Sequence, residues 1–183
     1  MWVVQGGYAR MLRVSVHVFI DESKRSGYMV VAAVVTSENL DSTRRQLRGL
    51  LLPGQRELHF KKENDGRRRY LLGHLASLPV TARIYVRRSS GHVAARRACL
   101  QAAVQDLHQA ERIVLDMAEG EMAADRHTLF ESRHKTGADF TYHHLKPRQE
   151  PLLWIPDGIA WAWSHTGPWR ASVQQLVTDV RHV

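Results

Sequence analysis

The amino-acid sequence predicts an α/β fold in which a mixed central sheet is flanked by helices. Three observations lead to this prediction. The chain opens with two strand-like segments separated by a turn, and segments of helical and strand periodicity then alternate to its end. Hydrophobic residues make up 44% of the 183 residues and charged residues 24%, which is typical of a globular chain that buries a core.

The first two strands are predicted to form an antiparallel hairpin. Hydrophobic residues occupy alternate positions from Val14 to Ile20, which is the period of a strand. Ser26 and Gly27 indicate a turn, and the apolar run over residues 28–35 predicts the second strand. We expect residues 1–12 to be an N-terminal extension. Residues 13–183 are predicted to form a single domain, because no internal repeat or long linker interrupts them.

The remaining elements follow from periodicity and from the residues that end helices. The helix over residues 38–52 places leucines on one face and arginines on the other, and Pro53 and Gly54 end it. A short extended piece is predicted over residues 57–60. Further strands are predicted over residues 80–86, 113–115 and 140–144. Further helices are predicted over residues 64–78, 92–109, 123–135, 156–165 and 169–180.

Several classes of protein are excluded or disfavoured by composition and motifs. The single cysteine, Cys99, forms neither an internal disulfide nor a cysteine-based zinc site, and we expect a buried thiol in a reducing, cytoplasmic protein. No apolar run is long enough to predict a membrane-spanning helix. The sequence contains no P-loop, no dinucleotide-binding glycine motif and no hydrolase nucleophile elbow.

The charge of the chain favours a polyanionic partner. Lysine and arginine number 26 against 18 acidic residues, a net charge of +8, so we expect attraction to nucleic acid, either RNA or DNA. Two groups of arginines are candidate phosphate contacts, although such runs are more commonly solvated helix faces. These groups are Arg67, Arg68 and Arg69, and Arg44, Arg45 and Arg48.

Two acids follow predicted strands directly. Asp21 directly follows the first strand, and Asp116 follows the apolar strand over residues 113–115. If these strands are parallel neighbours, both acids lie at the carboxyl edge of the sheet, where ligands commonly bind. Clustered carboxylates on a basic protein suggest a site for Mg²⁺ or Mn²⁺. Taken singly, each acid is more simply interpreted as a cap or turn residue.

Three further residues are candidates for the same chemistry. Glu57 and His59 lie two positions apart in the predicted extended piece, so their side chains share one side and suit metal binding or proton transfer. A solvated edge strand explains them equally well. Asp157 opens an otherwise apolar helix, where a carboxylate serves as a cap or requires a cationic partner.

These elements together resemble the domain-of-unknown-function 3800 family. The resemblance is carried by Asp21-Glu22-Ser23, Glu57-Leu58-His59-Phe60, Asp116 and Asp157, in that order. It implies a ribonuclease H-like fold in which Asp21, Glu57, Asp116 and Asp157 hold Mg²⁺ or Mn²⁺. The implied activity is metal-assisted hydrolysis of phosphodiester bonds, with His59 as a ligand or a proton shuttle.

Two other functions remain open from the sequence. A non-catalytic basic module would keep the fold and bind nucleic acid, with its acids serving as caps or ion-pair partners. The tryptophan-rich C-terminal part would suit a protein partner if it exposed an apolar patch. Its tryptophans are Trp154, Trp161, Trp163 and Trp169.

Overall fold

Six strands form one mixed sheet in the computed structural model, which describes residues 15–25, 27–88, 91–118 and 120–183. The strands are β1 (Val16–Ser23), β2 (Tyr28–Thr36), β3 (Val80–Arg87), β4 (Arg112–Asp116), β5 (Thr141–Leu145) and β6 (Val177–His182). Their spatial order is β5-β4-β1-β2-β3-β6. Strands β1, β2 and β3 pair antiparallel, and the other neighbours pair parallel. The predicted mixed sheet and opening hairpin are confirmed, while the predicted extension over residues 1–12 lies outside the described residues.

Helices cover both faces of the sheet. They are α1 (Leu40–Arg48), α2 (Asp65–Ala76), α3 (His92–Asp106), α4 (Met122–Thr136), α5 (Trp154–Trp163) and the short α6 (Pro168–Ala171). Within the described ranges, no helix has both the length and the apolar character needed to cross a bilayer.

The core has two layers, because successive side chains of a strand point to opposite faces of the sheet. On β1, Phe19 packs into the layer formed with α1, α2 and α5. Its neighbours Val18 and Ile20 pack into the layer formed with α3 and α4, which also buries Cys99. We call these the α5 layer and the α3 layer.

The predicted extended piece over residues 57–60 is not a strand. A single turn of 3-10 helix begins at Phe60, and residues 57–59 are irregular. Side chains rather than a neighbouring strand satisfy this backbone. The Phe60 N–H donates to Asp157 Oδ2 at 3.1 Å, and Arg68 Nε donates to the Phe60 carbonyl at 2.8 Å.

The predicted last helix over residues 169–180 is also wrong. The helix ends at Ala171, and Val177–His182 forms β6, which pairs parallel with β3 along the edge of the sheet. The β-branched residues Val177, Thr178 and Val180 favour this strand, because branching at Cβ restricts the side chain in a helix.

Gly158 allows α5 to lie against the irregular segment and α2. A Cβ at this position would lie 2.7 Å from the Phe60 ring and 2.6 Å from Leu75 Cδ1, and both side chains are fully buried. We therefore expect Gly158→Ala to lower the free energy of unfolding by about 1–3 kcal/mol through overpacking. Urea unfolding of the variant tests this. Gly73→Ala on α2, where an added Cβ meets nothing within 4 Å, is the control and should leave stability unchanged or raise it.

Candidate functional site

Asp21 and Asp116 lie side by side near the carboxyl ends of two parallel strands, Asp116 as the last residue of β4 and Asp21 two residues before the end of β1. In the β1–β4 register Ile20 pairs with Leu115, so the two acids are the next residues along. Each lies two positions beyond a residue of the α5 layer, Phe19 on β1 and Val114 on β4. Both carboxylates therefore point to the face of the sheet that α5 covers.

Asp157 reaches the same place from above the sheet. It lies in the first turn of α5, and this helix packs on β1 and β2. Gly158, the next residue, permits the close approach that brings the irregular segment alongside. All the residues predicted to be catalytic line one cavity of about 210 Å³. They are Asp21, Glu57, His59, Asp116 and Asp157.

A larger open cavity of about 490 Å³ adjoins the first and shares most of its acids. Asp21, Asp116, Asp157 and His59 line both cavities. We refer to the two together as the acidic site.

The environment of the acidic site disfavours the charged forms of Asp21 and Asp116. Burial raises the pKa of Asp21 well above its ordinary value, and the charges of Asp157 and Asp116 raise it further. Burial also raises the pKa of Asp116, and the charges of Glu22, Asp157 and Glu57 add to this rise. Carboxylates in this environment are stabilised by a proton or by a cation.

His59 is the imidazole of the acidic site. Its Nδ1 lies 3.5 Å from Asp157 Oδ2, the oxygen that also accepts the Phe60 N–H. The contact with Asp157 raises the pKa of His59 above its ordinary value of 6.5. A histidine with a raised pKa is protonated over more of the neutral range and can donate a proton there.

The oxygen-rich donor set suits Mg²⁺ or Mn²⁺, since these hard ions prefer carboxylates. Among the residues that the structure describes, no three His, Cys, Asp or Glu side chains are already arranged as a metal site. The donors therefore fit the ion by chemical type, and binding would require their side chains to reorient.

Glu22 belongs to a different cluster on the opposite face of β1. Arg96 Nη1 donates to Glu22 Oε2 at 2.6 Å, and the Arg96 guanidinium holds both oxygens of Asp125 at 2.7 and 2.9 Å. Asp125 also contacts His144 Nε2 at 2.9 Å. Burial raises the pKa of Asp125, but the Arg96 and His144 hydrogen bonds outweigh it, and the net pKa is lowered. This buried ion cluster ties α3, α4 and β5 to β1.

Sequence reasoning missed several cations that line the acidic site or its margin. Lys61 and Arg25 line the larger cavity, and Lys62 lines the smaller one. Arg56 and Arg148 line a third cavity, of about 350 Å³, that shares Glu57 and His59. Lys61 and Lys62 directly follow the predicted Glu57–Phe60 element, so their position in the sequence was a usable signal.

The arginines predicted to bind phosphate differ in how far they are engaged within the protein. Arg44 holds Glu150 through two hydrogen bonds, of 3.0 and 2.8 Å. Arg67 donates to the Leu50 carbonyl, and Arg68 donates to the Phe60 carbonyl at the end of the irregular segment. Exposed side chains remain at three of the six positions. They are Arg45, Arg48 and Arg69. Nucleic-acid contacts by any of the six stay predictions.

The C-terminal tryptophans are largely covered. Trp154 is buried, and Trp161, Trp163 and Trp169 are partly buried against the α5 layer. The Arg68 guanidinium lies 4.6 Å from the centre of the Trp161 ring. The Trp161 and His165 rings stack with their centres 4.0 Å apart. Among the described residues, the large hydrophobic side chains that are exposed include no tryptophan. A protein partner at this end stays a prediction.

Comparison with known proteins supports the fold. No protein-family model and no curated protein matches the sequence. Among solved structures, the chain is similar to one in the complex of PCNA and RNase HII from Archaeoglobus fulgidus, with a TM-score of 0.52 and 20% sequence identity. The match covers 79% of this chain and 69% of that chain. The predicted ribonuclease H-like fold is thereby confirmed.

Proposed function

We propose that the protein is a metal-dependent nuclease that hydrolyses phosphodiester bonds of nucleic acid, and that it is a member of the domain-of-unknown-function 3800 family. One observation carries the proposal. Four acids from distant parts of the sequence line one cavity at the carboxyl edge of a ribonuclease H-like sheet. Burial, together with repulsion between the acids, raises the pKa of Asp21 and Asp116, and this supports a cation-binding role for the cavity.

In this proposal Asp21, Glu57, Asp116 and Asp157 hold Mg²⁺ or Mn²⁺. When bound, such an ion supplies an activated water and stabilises charge on the phosphate. The fold of the chain positions these acids. Strands β1 and β4 fix Asp21 and Asp116 on the face of the sheet that α5 covers, and α5 presents Asp157 from above that face.

Cations and His59 complete the proposed site. Lys61 and Lys62 line the cavities on the side of the irregular segment, where they would hold non-bridging phosphate oxygens. Protonated His59, beside Asp157, would donate a proton to the leaving oxygen. These roles require no base-specific contact, so we expect cleavage without strong sequence preference.

A second candidate is a non-catalytic nucleic-acid-binding module. One contact favours it: Asp157 Oδ2 already accepts the Phe60 N–H, which is a structural use of one of the four acids. In that case the basic surface binds nucleic acid and the acids stabilise the fold.

A cleavage assay separates the two candidates. Labelled single- and double-stranded RNA and DNA are incubated with the protein in Mn²⁺, in Mg²⁺ or in excess chelator. We expect cleavage with a divalent ion and none with chelator, because the acids alone provide no activated water.

Asp139→Asn is the matched control for substitutions of the four acids in the acidic site. Asp139 is exposed, and its ion-pair partner among the described residues is Arg133 on the surface. The control should cleave as the wild type does. If the wild type binds the oligonucleotides but cleaves none of them with either ion, the non-catalytic module is the correct account.

A further inference from the structure

A fourth cavity, which is basic, lies next to the acidic site. It has a volume of about 340 Å³ and is lined by residues from the β1–β2 hairpin, from the ends of β3 and β6, and from the C-terminal part of α5 and α6. Its charged or titratable side chains are Arg88, Arg170 and His182, and no acid is among the described residues that line it. A cavity with this lining attracts anions.

The two arginines are available to a ligand. Within the described ranges, neither Arg88 nor Arg170 forms an ion pair with Asp or Glu, unlike Arg44, Arg96 and Arg97. An arginine whose charge is not neutralised inside the protein retains its full attraction for an external phosphate.

Arg170 is also held in place before any ligand binds. Its Nε and Nη2 donate to the Trp163 carbonyl at 3.2 and 2.8 Å, and its guanidinium lies 5.1 Å from the centre of the Trp163 ring. Nη1 is left without a hydrogen-bond partner among the described residues. Because the side chain is already ordered, binding an anion costs less conformational entropy.

The glycine of the hairpin turn positions this cavity. Gly27 has a φ of +99°, and an added Cβ would lie 3.3 Å from the Arg87 carbonyl oxygen and 3.7 Å from Arg88 Cγ. Glycine at this point lets the turn approach the end of β3, where Arg88 begins the cavity wall.

Two serines separate the basic cavity from the acidic site. Ser23 Oγ and Ser164 Oγ lie 2.8 Å apart, and both residues line the basic cavity and the larger acidic cavity. A nucleic-acid backbone that leaves the acidic site across this pair of serines therefore enters the basic cavity. Ser164 Oγ donates to the Ala160 carbonyl at 2.8 Å, so Ser23 is the donor within the pair, and its O–H can turn to a phosphate oxygen.

We infer that the cavity of Arg88, Arg170 and His182 is a backbone-phosphate subsite for a nucleic-acid strand whose reacting phosphate lies at the acidic site. The inference rests on the proposed function and deepens it. Its substrate is a polynucleotide that spans both cavities, since a mononucleotide has no second phosphodiester to place between these arginines.

Binding of labelled single-stranded DNA and RNA, followed by fluorescence anisotropy in chelator, tests the subsite without cleavage. The test variant is Arg88→Glu with Arg170→Glu. The control is Arg126→Glu with Lys135→Glu, which changes the net charge equally on the exposed face of α4. Arg88→Gln with Arg170→Gln is the milder variant, and circular dichroism checks that each protein is folded.

We expect the test variant to bind at least about tenfold more weakly than the control, and the slope of log affinity against log salt to fall by about 1.4 for two lost phosphate contacts. The glutamine variant should lie between the two. If the substitutions weaken the binding of DNA and of RNA equally, the subsite recognises the backbone phosphates. If they weaken the binding of one polymer alone, that polymer is the one that uses the subsite. Equal binding by the test and control variants, or no binding of either polymer by the wild type, overturns the inference.

A Mn²⁺ titration of the same proteins separates this inference from the proposed function. Unchanged Mn²⁺ binding with weakened oligonucleotide binding supports both. Weakened oligonucleotide binding in a protein that binds no Mn²⁺ supports the subsite and contradicts the nuclease. Cleavage by the test variant with control-like oligonucleotide affinity supports the nuclease and contradicts the subsite.

Discussion

Asp21→Asn should abolish metal-dependent cleavage and, without metal, make the protein more stable at neutral pH. We expect cleavage to fall by at least about 100-fold, because the variant removes a central charge of the acidic site. Burial and the neighbouring acids Asp157 and Asp116 raise the pKa of Asp21, so its charged form is unfavourable in the folded protein. A neutral amide of the same shape avoids this cost, and we expect a gain of about 0.5–2 kcal/mol in the free energy of unfolding.

The gain in stability should depend on pH. For an acid whose pKa is raised on folding, its contribution to stability is complete below the unfolded value, near 3.8, and is lost as the pH rises through the folded value. The introduced amide cannot ionise, so the variant and the wild type should be similar in stability near pH 3.8 and should diverge towards neutrality. Urea unfolding in chelator at both pH values measures this difference. A variant that is less stable than the wild type at neutral pH would contradict the electrostatic account.

Arg96→Met should cause the largest loss of stability among the substitutions considered. Arg96 is buried and holds both oxygens of Asp125, while its Nη1 contacts Glu22 and lies 2.9 Å from Glu121 Oε2. Methionine leaves these carboxylates without their main cation in a site that water reaches poorly. Removing one partner of a buried ion cluster costs about 3–5 kcal/mol.

Thermal and urea unfolding of Arg96→Met measure this loss, with Arg97→Met as the control. Arg97 is the next residue on α3, but it is exposed and its ion-pair partner within the described part of the chain is Glu131, so its loss should cost less than about 1 kcal/mol. Similar stabilities for the two variants would show that the buried ion cluster contributes little to the fold.

The sequence predicted the centre of the acidic site because strand periodicity is a strong local signal. Alternation up to Ile20 predicted a strand that Asp21 directly follows, and the short apolar run over residues 113–115 predicted the same for Asp116. In the structure Asp116 is the last residue of β4, and β1 continues past Asp21 to Ser23. That the two strands are parallel neighbours was a hypothesis from topology, and the β1–β4 register confirms it. The opening hairpin and the mixed sheet were predictable for the same reason.

The errors arose where long-range contacts decide local structure. Residues 57–60 look like a strand because apolar and polar residues alternate, but Asp157 and Arg68 bind their backbone from distant positions. The last element has a helical beginning at Pro168–Ala171, and the open edge of β3 then pairs with Val177–His182. Periodicity within a segment carries no information about such partners.

The basic cavity could not have been predicted from the sequence. Arg88 and Arg170 lie 82 positions apart in the chain, and no charged run contains both. The arginine runs that sequence analysis favoured are partly used inside the protein, as Arg44 and Arg68 demonstrate. A run of arginines in the sequence is therefore a weaker indicator of a phosphate-binding surface than a cavity wall whose arginines have no ion-pair partner among the described residues.

Calorimetric titration of Mn²⁺ into the wild type and into Asp116→Asn tests the central claim most directly, because it measures ion binding without requiring a substrate. Asp116 shares the acidic site with Asp21 and Asp157, and its pKa is raised by burial and by neighbouring acids. The account predicts saturable binding by the wild type and its loss in the variant. Failure of the wild type to bind Mn²⁺, even with an oligonucleotide present, or equal binding by both proteins, would contradict it.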